Sequence, residues 1–242
     1  MLRLFRQTRK GALASNKVPK YLFYALGEIL LVVIGILIAL YINNLNEERK
    51  ERQFEKKILL EFKASLESDL TYHINNRINR GERIVKSADI LAEYFDGKIS
   101  YHDSLGEHFW IMNWIMIFEP KTTPFETLKA KGIDIISNER LKQSLLSIYD
   151  YSYPSILFFT NDFNQWTTNR IEPYLIENFR IDLTENGKRY LPLNQEKLLN
   201  DNQLRNLVIE KKSLTESQIA RLERLRTTVT NLLDLLISEN SN

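Results

Sequence analysis

The chain has 242 residues, 33 Lys and Arg against 31 Asp and Glu, and no cysteine. The body left after a basic N-terminal tail is mildly acidic, which argues against a nucleic-acid-binding surface, and the lack of cysteine excludes disulfides, thiol catalysis and thiolate metal sites. The charge is unevenly placed. Arg3, Arg6, Arg9, Lys10, Lys17 and Lys20 stand in the first twenty residues with no acid, so the remainder is acidic by four (33 − 6 = 27; 27 − 31 = −4).

Behind that basic tail (residues 1–20), residues 21–42 read YLFYALGEILLVVIGILIALYI. At 1.5 Å rise per residue the run is about 33 Å long, enough to cross a hydrocarbon core of about 30 Å. It outruns a signal-peptide core, and Leu40 and Tyr41 are large where signal peptidase needs small residues, so an uncleaved anchor is expected. Carrying six uncompensated cations outward against the membrane potential costs about 2.3 kcal/mol each per 100 mV. The tail is therefore expected in the cytoplasm, with residues 43–242 in the periplasm of a bacterium and the helix in its inner membrane. The six tail cations either contact anionic lipid headgroups or act only as a topology signal.

Glu28 is the one carboxylate inside the span, about 10 Å along the axis from Tyr21. At 100° per residue Gly35 and Ala39 fall within about 20° of it, and Gly35-xxx-Ala39 is a small-xxx-small pair that admits a second helix. The face Glu28, Gly35, Ala39 is expected to pack against a membrane helix of a partner or a second copy. The alternatives for Glu28 are snorkelling to the headgroups or an ion relay.

Beyond the membrane the pattern is helical. Phe54, Ile58, Phe62, Leu66, Leu70, Ile74 and Ile78 recur every fourth residue, and Asn43–Gln53 holds no Pro or Gly, so the membrane helix is expected to continue into a long stalk helix. Gly81 reads as a weak point in that stalk and Gly97 as a C-terminal stop. Asp103 is expected to cap a helix running through His108 to Phe118. Pro120 and Pro124 mark a loop, and Phe125–Lys131 a short helix closed by Gly132. Ser137 or Asn138 is expected to cap Glu139–Tyr153. Pro154 is expected to break the chain, and Pro173 to interrupt or kink the stretch from Ser155 to about Phe179. Asn186-Gly187 and Pro192 mark a turn-rich link before a last long helix, about Asp201–Ile237. The stretches around Ile133–Ile136 and Arg189–Leu193 are expected to pair weakly as strands. The fold class is all-α: a transmembrane helix, its stalk, and a helical bundle formed by residues 43–242.

Gly27, Glu28, Ile29, Gly35, Ala39, Asn43, Asn44, Asn46 and Glu47 lie in the run GEILLVVIGILIALYINNLNE. On these residues the chain resembles the bacterial single-pass membrane proteins catalogued as domain of unknown function 6090, whose signature is such a run behind a basic tail. The segment TPFETLKAKGIDIISNERLKQSLLSIYDY is similar to that family's middle region. Leu45 departs from the family, which usually shows Trp there, and Tyr21, Tyr24 and Tyr41 are left to serve as interfacial anchors. The resemblance implies a membrane location and brings no established activity.

Within FWIMNWIMIF, Trp110, Trp114 and Phe118 share one face at four-residue spacing, read first as bundle core, with a partner groove or a surface dipping into the membrane interface as alternatives. His102-Asp103 and Glu107-His108 have metal-ligand residue types, but their spacing does not place both histidines on one helical face and no third motif completes a set. Tyr149, Tyr151, Tyr153, Phe158, Phe159, Phe163 and Trp166 form an aromatic-rich hairpin around Pro154, read first as core. No G-x-S-x-G, phosphate-binding glycine loop or H-E-x-x-H occurs. No catalytic residue, metal or cofactor is assigned. The chain reads as an accessory or scaffold protein that binds other envelope proteins or itself, on a lipid bilayer and without nucleic acid. The alternative is a periplasmic module that senses a small molecule and signals through a membrane partner.

Overall fold

The computed structural model describes residues 18–185 and 187–239. Helix α1 covers Val18–Ser68. The chain divides into two units between Phe54 and Glu55. In the first, every side chain from Leu22 to Gln53 is exposed. The apolar stretch of α1 is long and apolar enough to cross a bilayer. Its more distal turns carry Lys50–Glu47 and Arg52–Glu48 pairs instead.

The second unit is almost wholly helical. A π-helical turn, Asp69–Asn75, precedes α2 (Asn76–Phe95), which ends with Gly97 at φ 71°. Then come α3 (Leu105–Met112), α4 (Thr123–Lys131) and α5 (Glu139–Leu146). Two further π turns, Ser147–Ser152 and Thr167–Ile171, flank α6 (Tyr153–Trp166) and lead into α7 (Glu172–Asn178). Strands β1 (Phe179–Thr184) and β2 (Gly187–Pro192) form an antiparallel hairpin with Ile181 opposite Tyr190. A short α8 (Gln195–Leu198) precedes α9 (Asn202–Glu239), whose first turn is capped by the Asp201 carboxylate accepting from Leu204 N–H at 2.9 Å.

Helices α2 and α9 run antiparallel, with Gly81 beside Ile219, Asp89 paired to Lys212 and Asp96 to Arg205. Around them lies a core that includes Leu91, Phe109, Phe163, Leu175, Leu204 and Val208. A second aromatic cluster joins α1 to the middle helices: Tyr149 stacks on Phe125 at 4.8 Å and meets the edges of Phe62 and Tyr153.

Several sequence expectations are corrected. Ile58, Phe62, Leu66, Ile74 and Ile78 are buried as the stripe requires, but Asp69 replaces Leu70 at the fully buried position. A four-residue repeat drifts around an α-helix, and the wide turn at Asp69–Asn75 takes up that drift. Gly81 is a packing contact: a Cβ there would stand 2.8 Å from Ile219 Cγ1. The helix expected through Phe118 ends at Met112, so Trp110, Trp114 and Phe118 do not share a helical face. Asp103 gives no side-chain cap to α3. Pro154 and Pro173 open α6 and α7 instead of breaking the chain or bending it into a hairpin. Each comes after a π turn, which removes the close i−4 carbonyl that a proline ring clashes with. Ile133–Ile135 is a 3₁₀ turn, and the strand at Gly187–Pro192 pairs with Phe179–Thr184.

Candidate functional site

The buried face of α9 advances in steps of four and three: Leu204, Val208, Lys211, Thr215, Gln218, Leu222, Leu225, Val229, Leu232, Leu236. Such a seam normally holds apolar side chains throughout. Here its middle is polar, and Lys211, Thr215 and Gln218 are all buried.

Among the described residues no carboxylate pairs with Lys211. Its Nζ donates to the Trp114 carbonyl at 2.9 Å and to Thr167 Oγ1, and lies 3.9 Å from the centre of the Phe163 ring. Thr167 donates its own proton to the Phe163 carbonyl at 2.8 Å, so its oxygen is left to accept from the lysine. Burial, and then the Arg80 charge, push the Lys211 ammonium down to about 6. A neutral amine has two N–H groups, which match the two oxygens.

The segment that Lys211 holds runs from Trp114 to Pro120. Trp114, Met116 and Phe118 turn inward while Ile115 and Ile117 are exposed, the alternation of an extended chain. Neither described strand pairs with it. Asn164 accepts from Met116 N–H at 2.8 Å and donates back to its carbonyl at 2.5 Å, as a neighbouring strand would. On the other edge Arg80 donates to the Ile115 carbonyl at 3.0 Å and Arg77 to that of Ile117. The Arg80 and Arg83 guanidinium groups lie 4.1 and 4.6 Å from the Trp114 ring centre. Burial, then Arg77 and Arg83, hold Arg80 below the usual arginine range.

Asp69 anchors the far end. Both its oxygens accept from Lys121 N–H at 3.1 Å, and Tyr153 donates its hydroxyl to one of them at 2.8 Å. Burial raises the Asp69 carboxyl, against the opposing pull of these bonds. The nearby Tyr149 hydroxyl and His73 Nδ1 are buried without a hydrogen-bond partner among the described residues. Each of these polar groups sits in, or bonds to, one of the three π turns, a common place for inserted polar function in helices.

Two adjoining grooves run along α9 farther toward its C-terminal half, beside the seam residues Leu225 and Leu232. One, of about 890 Å³, is lined by Arg140, Gln143, Ser144, Ser147, Asn231 and Asp234 among others. The second, of about 380 Å³, lies between α6 and α9 and includes Ser155, Phe159, Arg221, Arg224 and Thr228. Thr228 belongs to both.

The sequence-derived candidates are scattered. Glu28, Gly35 and Ala39 stand exposed on α1, and a Cβ placed on Gly35 would meet open space beyond the helix's own backbone. Arg3, Arg6, Arg9, Lys10 and Lys17 lie outside the described residues, and of Lys20 only the backbone is described. Trp114 and Phe118 are core residues on the segment stitched by Lys211 and Asn164, Phe118 lying 5.6 Å from the Tyr153 ring. Trp110 is half-buried, edge-on to Trp114 and against Gly187, whose φ of 140° and 2.8 Å approach to that indole admit no side chain. His108 bonds Ser87 and His102 bonds Ser104. Among the described residues no group of three metal-ligating side chains comes together. Lys211 escapes a reading of charge alternation, although its four-three spacing from Val208 and Leu204 is the signal that betrays it.

Compared with family models, curated proteins and solved structures, the chain matches none.

Proposed function

We propose that this chain is a single-pass inner-membrane protein whose residues 43–242 form a periplasmic helical bundle that binds other envelope proteins as an accessory or scaffold subunit. The observation that carries this is the contrast within the chain. Every side chain from Leu22 to Gln53 is exposed, apolar as far as Ile42 except for Glu28, whereas residues from Ile58 onward bury their own core. Exposed apolar side chains over a bilayer's thickness find no partner among the described residues, and lipid supplies one. The basic tail and the likeness to the domain of unknown function 6090 proteins support the same reading. Residues Glu28, Gly35 and Ala39 then form a helix-packing face.

Binding is favoured over catalysis because the unusual interior groups are occupied in structure. Lys211, Asp69 and Tyr153 hold backbone or one another, and none lines either groove. The grooves favour a second reading, a periplasmic module that takes a small molecule.

Membrane fractionation tests the anchor: the full chain is expected in the pellet, resistant to carbonate and released by detergent. Recovery in the supernatant without detergent would falsify it. Externally added protease is expected to cut residues 43–242 in spheroplasts and spare them in sealed inverted vesicles. The reverse pattern inverts the orientation. Cross-linking in native membranes is expected to give a defined complex that Glu28→Leu weakens at least severalfold, and an unchanged complex removes the packing face.

A further inference from the structure

We propose that the groove between α6 and α9 is a binding site for a phosphate monoester, gripped by Arg221 and Arg224. These two arginines stand one helical turn apart, which brings their side chains to the same face about 5–6 Å from each other at Cβ. Among the described residues neither has a carboxylate within ion-pair distance, while their neighbour Arg226 is paired with Glu223. The groove wall around them includes Ser152, Ser155, Phe159 and Thr228 and no acid. Asp234 lines the adjoining groove.

The site is partly organised already. The Arg221 guanidinium carbon sits over Phe159, 3.8 Å from the ring centre, and its Nη1 donates to the Ser217 carbonyl at 3.1 Å. That leaves its remaining N–H groups for a ligand. The Arg224 guanidinium and the Ser155 hydroxyl have no hydrogen-bond partner among the described residues. Ser152 and Thr228 donate instead to the carbonyls of Ser147 and Arg224, so their oxygens can accept a proton from a protonated ester. Two guanidinium forks and a hydroxyl exceed what one carboxylate needs. They suit a group with three acceptor oxygens and a charge near −2, which neutralises both cations. The 890 Å³ groove continuing past Thr228, with Gln143, Ser144 and Asn231, offers polar room for the rest of the molecule.

The inference names a ligand class for the small-molecule reading and rests on that reading only for its biological role; the binding itself needs only the fold of residues 55–239. The test uses the full chain in phosphatidylcholine nanodiscs, titrated calorimetrically with glycerol 3-phosphate and, separately, with acetate at fixed ionic strength. Glycerol 3-phosphate is expected to bind at least tenfold more tightly than acetate, and Arg221→Gln/Arg224→Gln to lose that binding with the unliganded thermal midpoint retained. Arg224→Gln alone, which removes no contact of the fold, is expected to weaken it at least fivefold and decides the matter if the double variant misfolds. Equal affinity for acetate, or wild-type affinity in Arg224→Gln, overturns the site. Such a failure leaves the small-molecule reading to be tested separately, by thermal stabilisation of the chain with ligands that carry no phosphate, so the two ideas fall separately. Discs containing phosphatidic acid separate the ligand sources. Competition within the disc assigns a lipid headgroup, and unaltered binding assigns a soluble ester; either outcome keeps the site.

Discussion

Lys211 and Asp69 are buried titratable groups that do not pair with each other, and each leaves a signature in the pH dependence of stability. Between about 6 and 10.5 the unfolded chain holds a proton on Lys211 that the folded chain lacks. Stability must therefore rise with pH across that window, by up to about 1.4 kcal/mol per pH unit. Lys211→Met is expected to remove that slope, measured as the difference between urea unfolding curves of the two proteins from pH 6 to 10. An unchanged slope would place the ammonium in water. For Asp69 the sign reverses. Its carboxyl is raised above 3.8, so between that value and its folded one the native state holds the extra proton, and stability falls as pH rises. Tyr153→Phe deletes a hydrogen bond to this carboxylate and is expected to cost about 1.5–3 kcal/mol in the same assay. A loss within error of zero would mean that Asp69 takes up another donor, such as the unpartnered Tyr149 hydroxyl.

The least ordinary element is the segment from Trp114 to Pro120, whose backbone is satisfied by side chains instead of a neighbouring strand. Asn164→Ala would strand both the N–H and the C=O of Met116. Each buried orphan costs about 1–3 kcal/mol, so a loss of at least about 2 kcal/mol is expected, with faster amide exchange at Met116 as the local readout. Normal exchange there would show that water replaces the amide at no cost. The helices themselves were legible from periodicity: the stripe from Ile58 to Ile78, the Asn138 cap with its carbonyl accepting from Leu141 N–H at 3.1 Å, and the stop at Gly97. The segment after Met112 was not, because Trp114, Met116 and Phe118 fit a buried helix as well as alternate residues of an extended chain. Partners distant in sequence, Asn164 and Lys211, decide between the two. Pro154 and Pro173 misled for a related reason. Proline forbids an ordinary α turn in mid-helix, and a wider turn ahead of it escapes the prohibition.

At the scale of the whole molecule, an apolar stretch of α1 long enough to cross a bilayer, exposed throughout the described residues, precedes a domain that closes its own core. Deleting residues 1–42 is expected to yield a chain that stays in the supernatant after ultracentrifugation and still unfolds in one cooperative transition, observed by circular dichroism. Aggregation of that truncated chain would assign α1 a structural duty inside the fold. An apolar helix of bilayer length was legible, since apolar length is a local property of sequence. The Arg221–Arg224 groove was hidden, because only packing of α6 beside α9 shows which arginines lack acids. The three wide turns carry an evolutionary corollary. Such a turn accommodates one surplus residue without rotating the helix on either side. Excising Tyr72, exposed within Asp69–Asn75, should shorten the polypeptide while preserving the phase of both flanks, whereas excising Ala64 from uninterrupted helix should scramble it. Length variation among natural versions of this protein should accordingly concentrate at these three places.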